Sequence, residues 1–376
     1  MQDKGCGIIC EYNPFHLGHK YQLEKASELF DFTVCLMSGD FVQRGEAAFQ
    51  KKEVRAANAS KNGADIVLEM PFPYSSFGAE GFAQKGVEIL TASGLCSHLL
   101  FGSECGDVEI LYEIAEFLCR EDFFDAVINE QKKEGNLSFA RARKRVVSKS
   151  LGEELGKVLD NPNDILGVEY IKAIIKTKSP LKAVALKRST PRGGYDEVFA
   201  SSSYIRENFF DSEKNSFIKS RVPEDYDFSQ IFANCGDFYK VMLVNLSMKA
   251  PWELEEMLEV PKGYGYLIAG SAAKAKSFDE LCSMLCGKTM TMSKVKRMLL
   301  FCFFGIKKER YHEQPLYTRV LSFTEKGRKM LKSYSDCRKI IIASRIKDIK
   351  QNEAAYENYC QERIALEVLY KCITEE

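Results

Sequence analysis

An α/β fold, a parallel sheet covered by helices on both faces, is the class this sequence predicts, and three observations carry it. Short runs that are apolar at nearly every position recur through the first 200 residues, helical periodicity separates them, and the strand signal fades beyond Phe210. Unbroken apolar runs suit strands buried on both faces, and strands alternating with helices pair in parallel through crossovers.

Gly7-Ile-Ile-Cys-Glu11 is the first run, and a helical pattern over about 18–30 follows it. Phe32-Thr-Val-Cys-Leu-Met37 is the second, succeeded by a polar loop to Gln50 and a helix to about Lys61. Asp65-Ile-Val-Leu-Glu-Met70 and His98-Leu-Leu-Phe101 are the third and fourth, with a helix over about 79–92 between them. Leu181-Lys-Ala-Val-Ala-Leu186 is the fifth. Beyond it the periodicity is helical at 252–258, 265–275, 278–286 and 293–304, and in a long last helix from about Asn352. We therefore expect an α/β domain over 1–215 and a mainly α-helical, partly basic domain over 216–376. Ligands of parallel sheets bind beyond the carboxyl ends of the strands, so the loops after the strands hold the candidate site.

The chain has 376 residues, 45% hydrophobic and 28% charged, which excludes a disordered or fibrous protein. No stretch of 18 uncharged apolar residues occurs, so no membrane span is expected. Met1-Gln-Asp-Lys-Gly-Cys lacks the basic and then apolar order of a secretory signal, and a cytoplasmic protein is expected. The 13 cysteines are scattered, several inside apolar runs (Cys10, Cys35, Cys302), where they serve as small hydrophobes in a reducing compartment. Cys6/Cys10 and Cys282/Cys286 have no matching pair at zinc-finger spacing, so no metal ligand is assigned.

Charge sums to zero, 53 basic against 53 acidic side chains, yet it separates along the chain. Residues 288–350 hold 17 Lys and Arg against 5 Asp and Glu, a net of +12, whereas the last 26 residues hold 6 acids against 2 bases. A basic block of this kind is the footprint that meets a phosphate backbone. Arg141, Arg143, Lys144, Arg145 and Lys149 form one basic stretch. Lys294, Lys296, Arg297, Lys307, Lys308 and Arg310 form another, interleaved with Phe301, Phe303, Phe304 and Tyr311. Such patches neutralise phosphates and aromatics stack on unpaired bases, though a basic helix face also suits plain solvation and Phe301–Phe304 suit the core.

The chemistry concentrates in Glu11-Tyr-Asn-Pro-Phe-His16-Leu-Gly-His19, which holds two of the four histidines. It follows the first strand and opens a helix, whose free N–H groups attract an anion. Pro14 forces a turn, Gly18 lets backbone approach a ligand, and imidazoles three residues apart share a face. The set suits a triphosphate attacked at its α-phosphate; a metal pair without a visible third ligand, or two histidines packed in a turn, are the competing readings.

His16-Leu-Gly-His19 resembles the HxGH signature of the nucleotidyltransferase superfamily, and the longer string resembles one family within it, the bacterial tRNA(Met) cytidine acetate ligases. Five further blocks agree in order: Met37-Ser-Gly-Asp-Phe-Val-Gln-Arg-Gly-Glu46, Ala64-Asp-Ile-Val-Leu-Glu-Met-Pro71, Phe101-Gly-Ser-Glu104, Pro162-Asn-Asp-Ile-Leu-Gly167 and Ala200-Ser-Ser-Ser-Tyr-Ile-Arg206. The likeness spans about 200 residues and loosens in the C-terminal half.

The resemblance implies a Rossmann-like nucleotidyltransferase domain and an ATP-dependent ligase. Acetate would attack the α-phosphate of ATP to give acetyl-adenylate. The wobble cytidine of elongator tRNA(Met) would then take the acetyl group on its exocyclic amine. ATP is thus the expected substrate, with magnesium carried on its phosphates, and acetate and elongator tRNA(Met) are the expected partners. His16 and His19 would stabilise the transition state. Ile9, Cys10, Glu11, Tyr12, Asn13, Pro14, Phe15, Leu17 and Gly18 would wrap the nucleotide. Gly102 would pass beneath the adenosine, Asn163 and Arg188 would contact the nucleotide, and Ser202, Ser203 and Arg206 would meet the outer phosphates.

Simpler roles compete for several of these: a strand-end turn for Gly102, helix caps for Asn163 and Ser201–Ser203, surface ion pairs for Arg188 and Arg206. Asp40 departs from the family pattern. Lys52 and Arg55 match basic family positions or decorate a solvated helix face. A metabolite nucleotidyltransferase and a nucleotide-sensing RNA-binding protein remain the alternatives, the first opposed by the basic block and the second by two intact imidazoles.

Overall fold

The computed structural model describes residues 4–133, 137–188, 194–196, 198–232 and 235–372, so 373–376 of the expected acidic tail lie outside it. The strands are β1 (Gly5–Cys10), β2 (Phe32–Ser38), β3 (Phe41–Val42), β4 (Glu46–Ala47), β5 (Ile66–Met70), β6 (His98–Ser103), β7 (Lys182–Lys187), β8 (Tyr317–Phe323) and β9 (Ile341–Ala343). Seven of them form one sheet in the order β7-β6-β1-β2-β5-β8-β9, and β3 and β4 form a separate hairpin. β7, β6, β1, β2 and β5 run parallel. β1 has β6 on one side and β2 on the other, so winding reverses between β1 and β6 and opens a crevice at their carboxyl ends.

The unbroken apolar runs are explained by two cores. Val34, Leu36, Ile66, Leu68 and Leu99 pack with Phe82, Val87 and Leu90 of the Ala79–Ser93 helix and Val168 and Ile171 of the Pro162–Thr177 helix. Their strand neighbours Cys35, Met37 and Val67, with Cys6 and Ile8, pack on the other face with Leu23, Ala26, Ala56 and Ala59. Each large apolar side chain buried this way contributes about 1.5–3 kcal/mol, and the cysteines sit among them as free thiols.

The helices at Pro251–Glu255, Tyr264–Ala272, Phe278–Leu285, Met292–Phe304 and Glu353–Cys372 lie where periodicity places them. The C-terminal half is mainly helical, but it also returns two strands to the sheet. β8 runs antiparallel to β5, with a register shift between Val67 and Leu68, and β9 runs parallel to β8. The polar residues that hide β8 in the sequence are committed: Thr318 Oγ1 donates to Glu69 O at 2.6 Å, and the Arg319 guanidinium lies 3.5 Å from the Glu69 carboxylate. The polar loop expected before Gln50 is likewise corrected. It contains the β3–β4 hairpin, and Phe41, Val42, Ala48, Phe49 and Gln50 are buried.

Lys52 and Arg55 do not decorate a solvated face either; both are fully buried. Lys52 Nζ pairs with Glu69 and lies 3.6 Å from Asp40 and 3.7 Å from Glu362. Asp40 accepts the Lys52 backbone N–H at 2.8 Å and the Tyr370 hydroxyl at 2.9 Å, while Tyr317 donates to Glu362 at 2.6 Å. The last helix is therefore fastened to the sheet by a buried network of three carboxylates and two cations. Burial, and then the Glu69 charge, push the Glu362 carboxyl up to about 8, so the folded protein holds a proton there that the unfolded chain releases. That contribution to stability is complete below the ordinary value of 4.5 and is lost as pH rises through about 8. Glu362→Gln should flatten the fall in unfolding free energy over this window, read from urea denaturation at a series of pH values. Parallel pH profiles for the two proteins would contradict the assignment.

Candidate functional site

The chain leaves β1 through Tyr12, whose φ of +46° is a left-handed conformation, and a cis Asn13–Pro14 bond, and enters the Leu17–Leu29 helix at His16. His16 is the N-cap: its Nδ1 accepts the Gly18 N–H at 3.0 Å, and the His19 Nδ1 accepts the His16 N–H at 3.3 Å. This is a capping box in which imidazoles replace the usual hydroxyl and carboxamide. The rings stack with centroids 3.7 Å apart, and the Tyr12 ring supports His19 at 4.8 Å.

The cap fixes the chemistry. An Nδ1 that accepts a hydrogen bond carries no proton, so both neutral rings hold their hydrogen on Nε2. Burial, and then the Arg188 charge, lower the His16 pKa to about 3. Burial, His16 and Arg188 hold His19 well below its ordinary value. The helix thus presents two neutral Nε2–H donors beside a guanidinium. Such a site offers an anion two neutral hydrogen-bond donors and one positive charge, with no change of protonation on binding.

His19 lines a solvent-open cleft of about 320 Å³, together with Ile9 and Cys10 at the end of β1, Glu11, Tyr12 and Asn13 beyond it, Gly102 in β6, Asn163, Arg188 after β7, and Ser202. His16 and Gly18 line the adjoining pocket, which shares His19, Gly102 and Arg188 with it. Gly102 is not a turn glycine. A Cβ there would stand 3.1 Å from Arg188 Cγ, so the missing side chain leaves Arg188 room to cross the strand end. The Arg188 side chain makes no hydrogen bond or ion pair with any described residue; its backbone N–H donates to Ser103 O at 2.9 Å. Gly102→Ala should therefore displace the Arg188 side chain and weaken binding of a polyphosphate anion in the cleft by about tenfold, the scale of one weakened charged contact. Calorimetric titration with tripolyphosphate decides this, and an unchanged affinity would show that Arg188 tolerates the extra methyl group.

Asn163 is not the cap of its helix. Asn161 holds that position and Pro162 is the first residue. The Asn163 amide nitrogen donates to Glu104 at 2.6 Å, and Glu104 also accepts the Asp164 N–H at 2.9 Å, which leaves Asn163 Oδ1 as the atom available to a ligand. Buried Asp164 in turn accepts Ser103 Oγ at 2.5 Å and Asn161 Nδ2 at 2.9 Å. The blocks Phe101-Gly-Ser-Glu104 and Pro162-Asn-Asp164 are thus two halves of one junction that sets the cleft wall.

The remaining residues stand behind the lining. Phe15 is fully buried, packed edge-on to Tyr12 at 4.9 Å, and Leu17 N donates to Arg221 O at 3.0 Å. Ser201 caps the Ser202–Asn208 helix, Ser202 Oγ reaches Pro14 O at 3.4 Å, and Arg206 braces Asn13 O at 2.5 Å and Ser203 Oγ at 3.4 Å. Burial lowers the Arg206 pKa, Glu11 supports its charge and Arg44 opposes it. Arg55 donates to Glu11 O at 2.5 Å and to Ser38 O at 3.2 Å, clamping the exits of β1 and β2 together. Gln22, the end of the stretch from Ile9 expected to wrap the nucleotide, also lines the cleft, whereas sequence reasoning missed Gln43, Arg44, Leu166 and Tyr170, which line it too. Gln43 and Arg44 stand inside a quoted motif, and the signal was available there.

Several side chains of the basic stretches are paired with carboxylates, while Lys149 and Lys307 stay exposed. Arg143 pairs with buried Glu169 at 2.8 Å, Lys144 with Asp160 at 2.5 Å and Lys149 with Glu130 at 2.5 Å. Lys296 pairs with Glu46 at 2.5 Å, Arg297 with Glu259 at 3.1 Å and Arg310 with Glu313 at 2.5 Å, while Phe301 is fully buried. Among the described residues no helix is long and apolar enough to cross a membrane, and no cluster of three or more His, Cys, Asp or Glu could hold a metal ion.

A model of the HIGH Nucleotidyl Transferase family matches residues 3–376. The tRNA(Met) cytidine acetate ligase of Thermoanaerobacter sp. (strain X514) is 33% identical over 361 residues, covering 92% of this chain and 89% of that protein. The ligase of the same name from Thermosipho africanus is 37% identical over 353 residues, covering 87% and 81%. The crystal structure of Thermotoga maritima TmcAL bound with alpha-thio ATP superposes with a TM-score of 0.87 at 30% identity, covering 98% of this chain and 95% of that one. Its apo form gives 0.88 at the same identity, covering 96% and 93%. A likeness of this length settles membership: the chain belongs to the HIGH nucleotidyltransferases and, within them, to the tRNA(Met) cytidine acetate ligase family.

Proposed function

We propose that this protein is an ATP-dependent acetate ligase that forms N4-acetylcytidine at the wobble position of elongator tRNA(Met) through acetyl-adenylate. The observation that carries the reading is the pair of Nε2–H donors beside Arg188 at the switch point of the sheet, in a chain alike over nearly its full length to ligases of that name. An acetate oxygen attacks the α-phosphorus of ATP and the bond to pyrophosphate breaks. His16 and His19 donate to phosphate oxygens where charge grows, and they need no reorganisation to do so. Arg188 draws in the polyphosphate, and Asn163 Oδ1 and the β1 exit hold the nucleoside. The cytidine amine then attacks the acetyl carbon, and AMP leaves with the oxygen that bridged the two groups.

Glu11 is the one carboxylate among the cleft-lining residues, and it already accepts the Gln43 N–H at 2.8 Å. Magnesium therefore enters as part of the substrate, held by phosphates and water. The mainly helical half, 216–376, is assigned to presenting the tRNA, and the protein to the cytoplasm where tRNA is modified.

Labelled acetate incubated with ATP, elongator tRNA(Met) and the protein should place label in the RNA. None should appear without ATP or when another base replaces the wobble cytidine. ATP binding without any transfer to a competent tRNA would turn the reading to a metabolite nucleotidyltransferase.

A further inference from the structure

The β3–β4 hairpin is held on both sides and carries two side chains that nothing in the fold uses. Its inner edge is tied to the β1 exit, where Gln43 N donates to Glu11 Oε1 at 2.8 Å. Its outer edge is pressed on the start of the Met292–Phe304 helix: Gly45 has φ +74°, and a Cβ there would lie 2.3 Å from Arg297 N. The Lys296–Glu46 ion pair, at 2.5 Å, closes the same contact. The hairpin tip is therefore preorganised, and it joins the nucleotide cleft to the C-terminal half. Gln43 and Arg44 both line the cleft that His19, Arg188 and Ser202 line. The Gln43 Nε2 atom is buried and has no hydrogen-bond partner among the described residues. Arg44 is exposed and makes no hydrogen bond or ion pair with any of them.

We propose that this hairpin receives the nucleotide to be acetylated, Gln43 reading the base edge of the cytosine and Arg44 taking a flanking phosphate. The inference rests on the ligase reading and names its nucleobase subsite. An uncommitted carboxamide offers one donor and one acceptor side by side. The cytosine edge offers the complement, the N4 amine as donor and N3 as acceptor, whereas uracil reverses it at both positions. A base must leave its stack for its amine to reach an activated acyl group, and an unstacked base is read by such edge contacts. Arg44 suits the accompanying phosphate because it spends no charge inside the protein.

The test separates adenylation, which needs no RNA, from transfer. For Gln43→Ala, acetate-dependent ATP–pyrophosphate exchange should fall less than about threefold, and kcat/KM for acetyl transfer to tRNA should fall about tenfold or more, the scale of one bidentate base contact. Inhibition by the same tRNA carrying uridine at the acceptor position gives the second readout. Wild type should bind it about tenfold more weakly than the cytidine tRNA, and Gln43→Ala should lose most of that preference. Arg44→Ala should weaken both tRNAs alike and reduce the salt slope by about one. Loss of exchange in Gln43→Ala would assign the residue to ATP or acetate and overturn the proposal, as would an unchanged cytidine preference. Failure of the ligase reading looks different, since wild type itself would then transfer no acetyl group.

Discussion

Replacing His16 by asparagine is expected to lower acetate-dependent ATP–pyrophosphate exchange by about 10²–10³-fold, the cost of removing one preorganised donor to a developing charge. The unfolding midpoint should stay close to that of wild type. Asparagine is a good N-cap residue whose Oδ1 can accept the Gly18 N–H in place of the imidazole Nδ1. It cannot place a donor where the outward Nε2–H stands. The substitution thus parts two jobs that one ring performs. His16→Ala removes both, with a loss of about 1 kcal/mol for the cap besides the catalytic defect. The lowered pKa carries a corollary. A group held at about 3 contributes stability that is present above its ordinary value of 6.5 and is lost as pH falls toward 3. Activity should therefore show no break from His16 between pH 6.5 and 8. Near-normal exchange by the asparagine variant would mean that the imidazole serves only as a cap.

Lys52→Met should destabilise the protein by about 3–5 kcal/mol, because it leaves buried carboxylates short of a partner. Glu69 is fully buried, and its remaining cation, Arg319, stands at 3.5 Å. Lys52→Met combined with Glu69→Gln should recover much of the loss, since the penalty lies in the orphaned charge and not in the missing pair. Denaturant unfolding of the single and double variants measures both. A loss below about 1 kcal/mol, the value of an exposed pair, would contradict the burial of the network.

What the sequence discloses, and what it hides, follows from which interactions are local. The parallel strands are legible because burial on both faces demands unbroken apolar runs, and the histidine pair because a helix start requires its residues at fixed spacing. β8 is hidden because Thr318 and Arg319 break its apolar pattern, and their reasons lie on β5, at Glu69. Lys52 and Arg55 look like surface residues because their partners are far along the chain or are backbone carbonyls, such as Glu362, Glu11 O and Ser38 O. The carboxylates that pair with the basic stretch near Arg143, Glu169 and Asp160, are distant in sequence and are brought against it only by the fold. Gly102 is explained only by Arg188, a residue of the neighbouring strand's exit.

In the proposed reaction an acetate oxygen attacks the α-phosphorus of ATP within this cleft. Doubly ¹⁸O-labelled acetate, ATP and elongator tRNA(Met), followed by mass spectrometry of the released nucleotide, test it most directly. The released AMP should carry one ¹⁸O and the tRNA should be acetylated on cytidine, with unlabelled pyrophosphate. Unlabelled AMP, or ¹⁸O in inorganic phosphate alongside ADP, would place the attack on a different phosphorus and contradict the adenylate route.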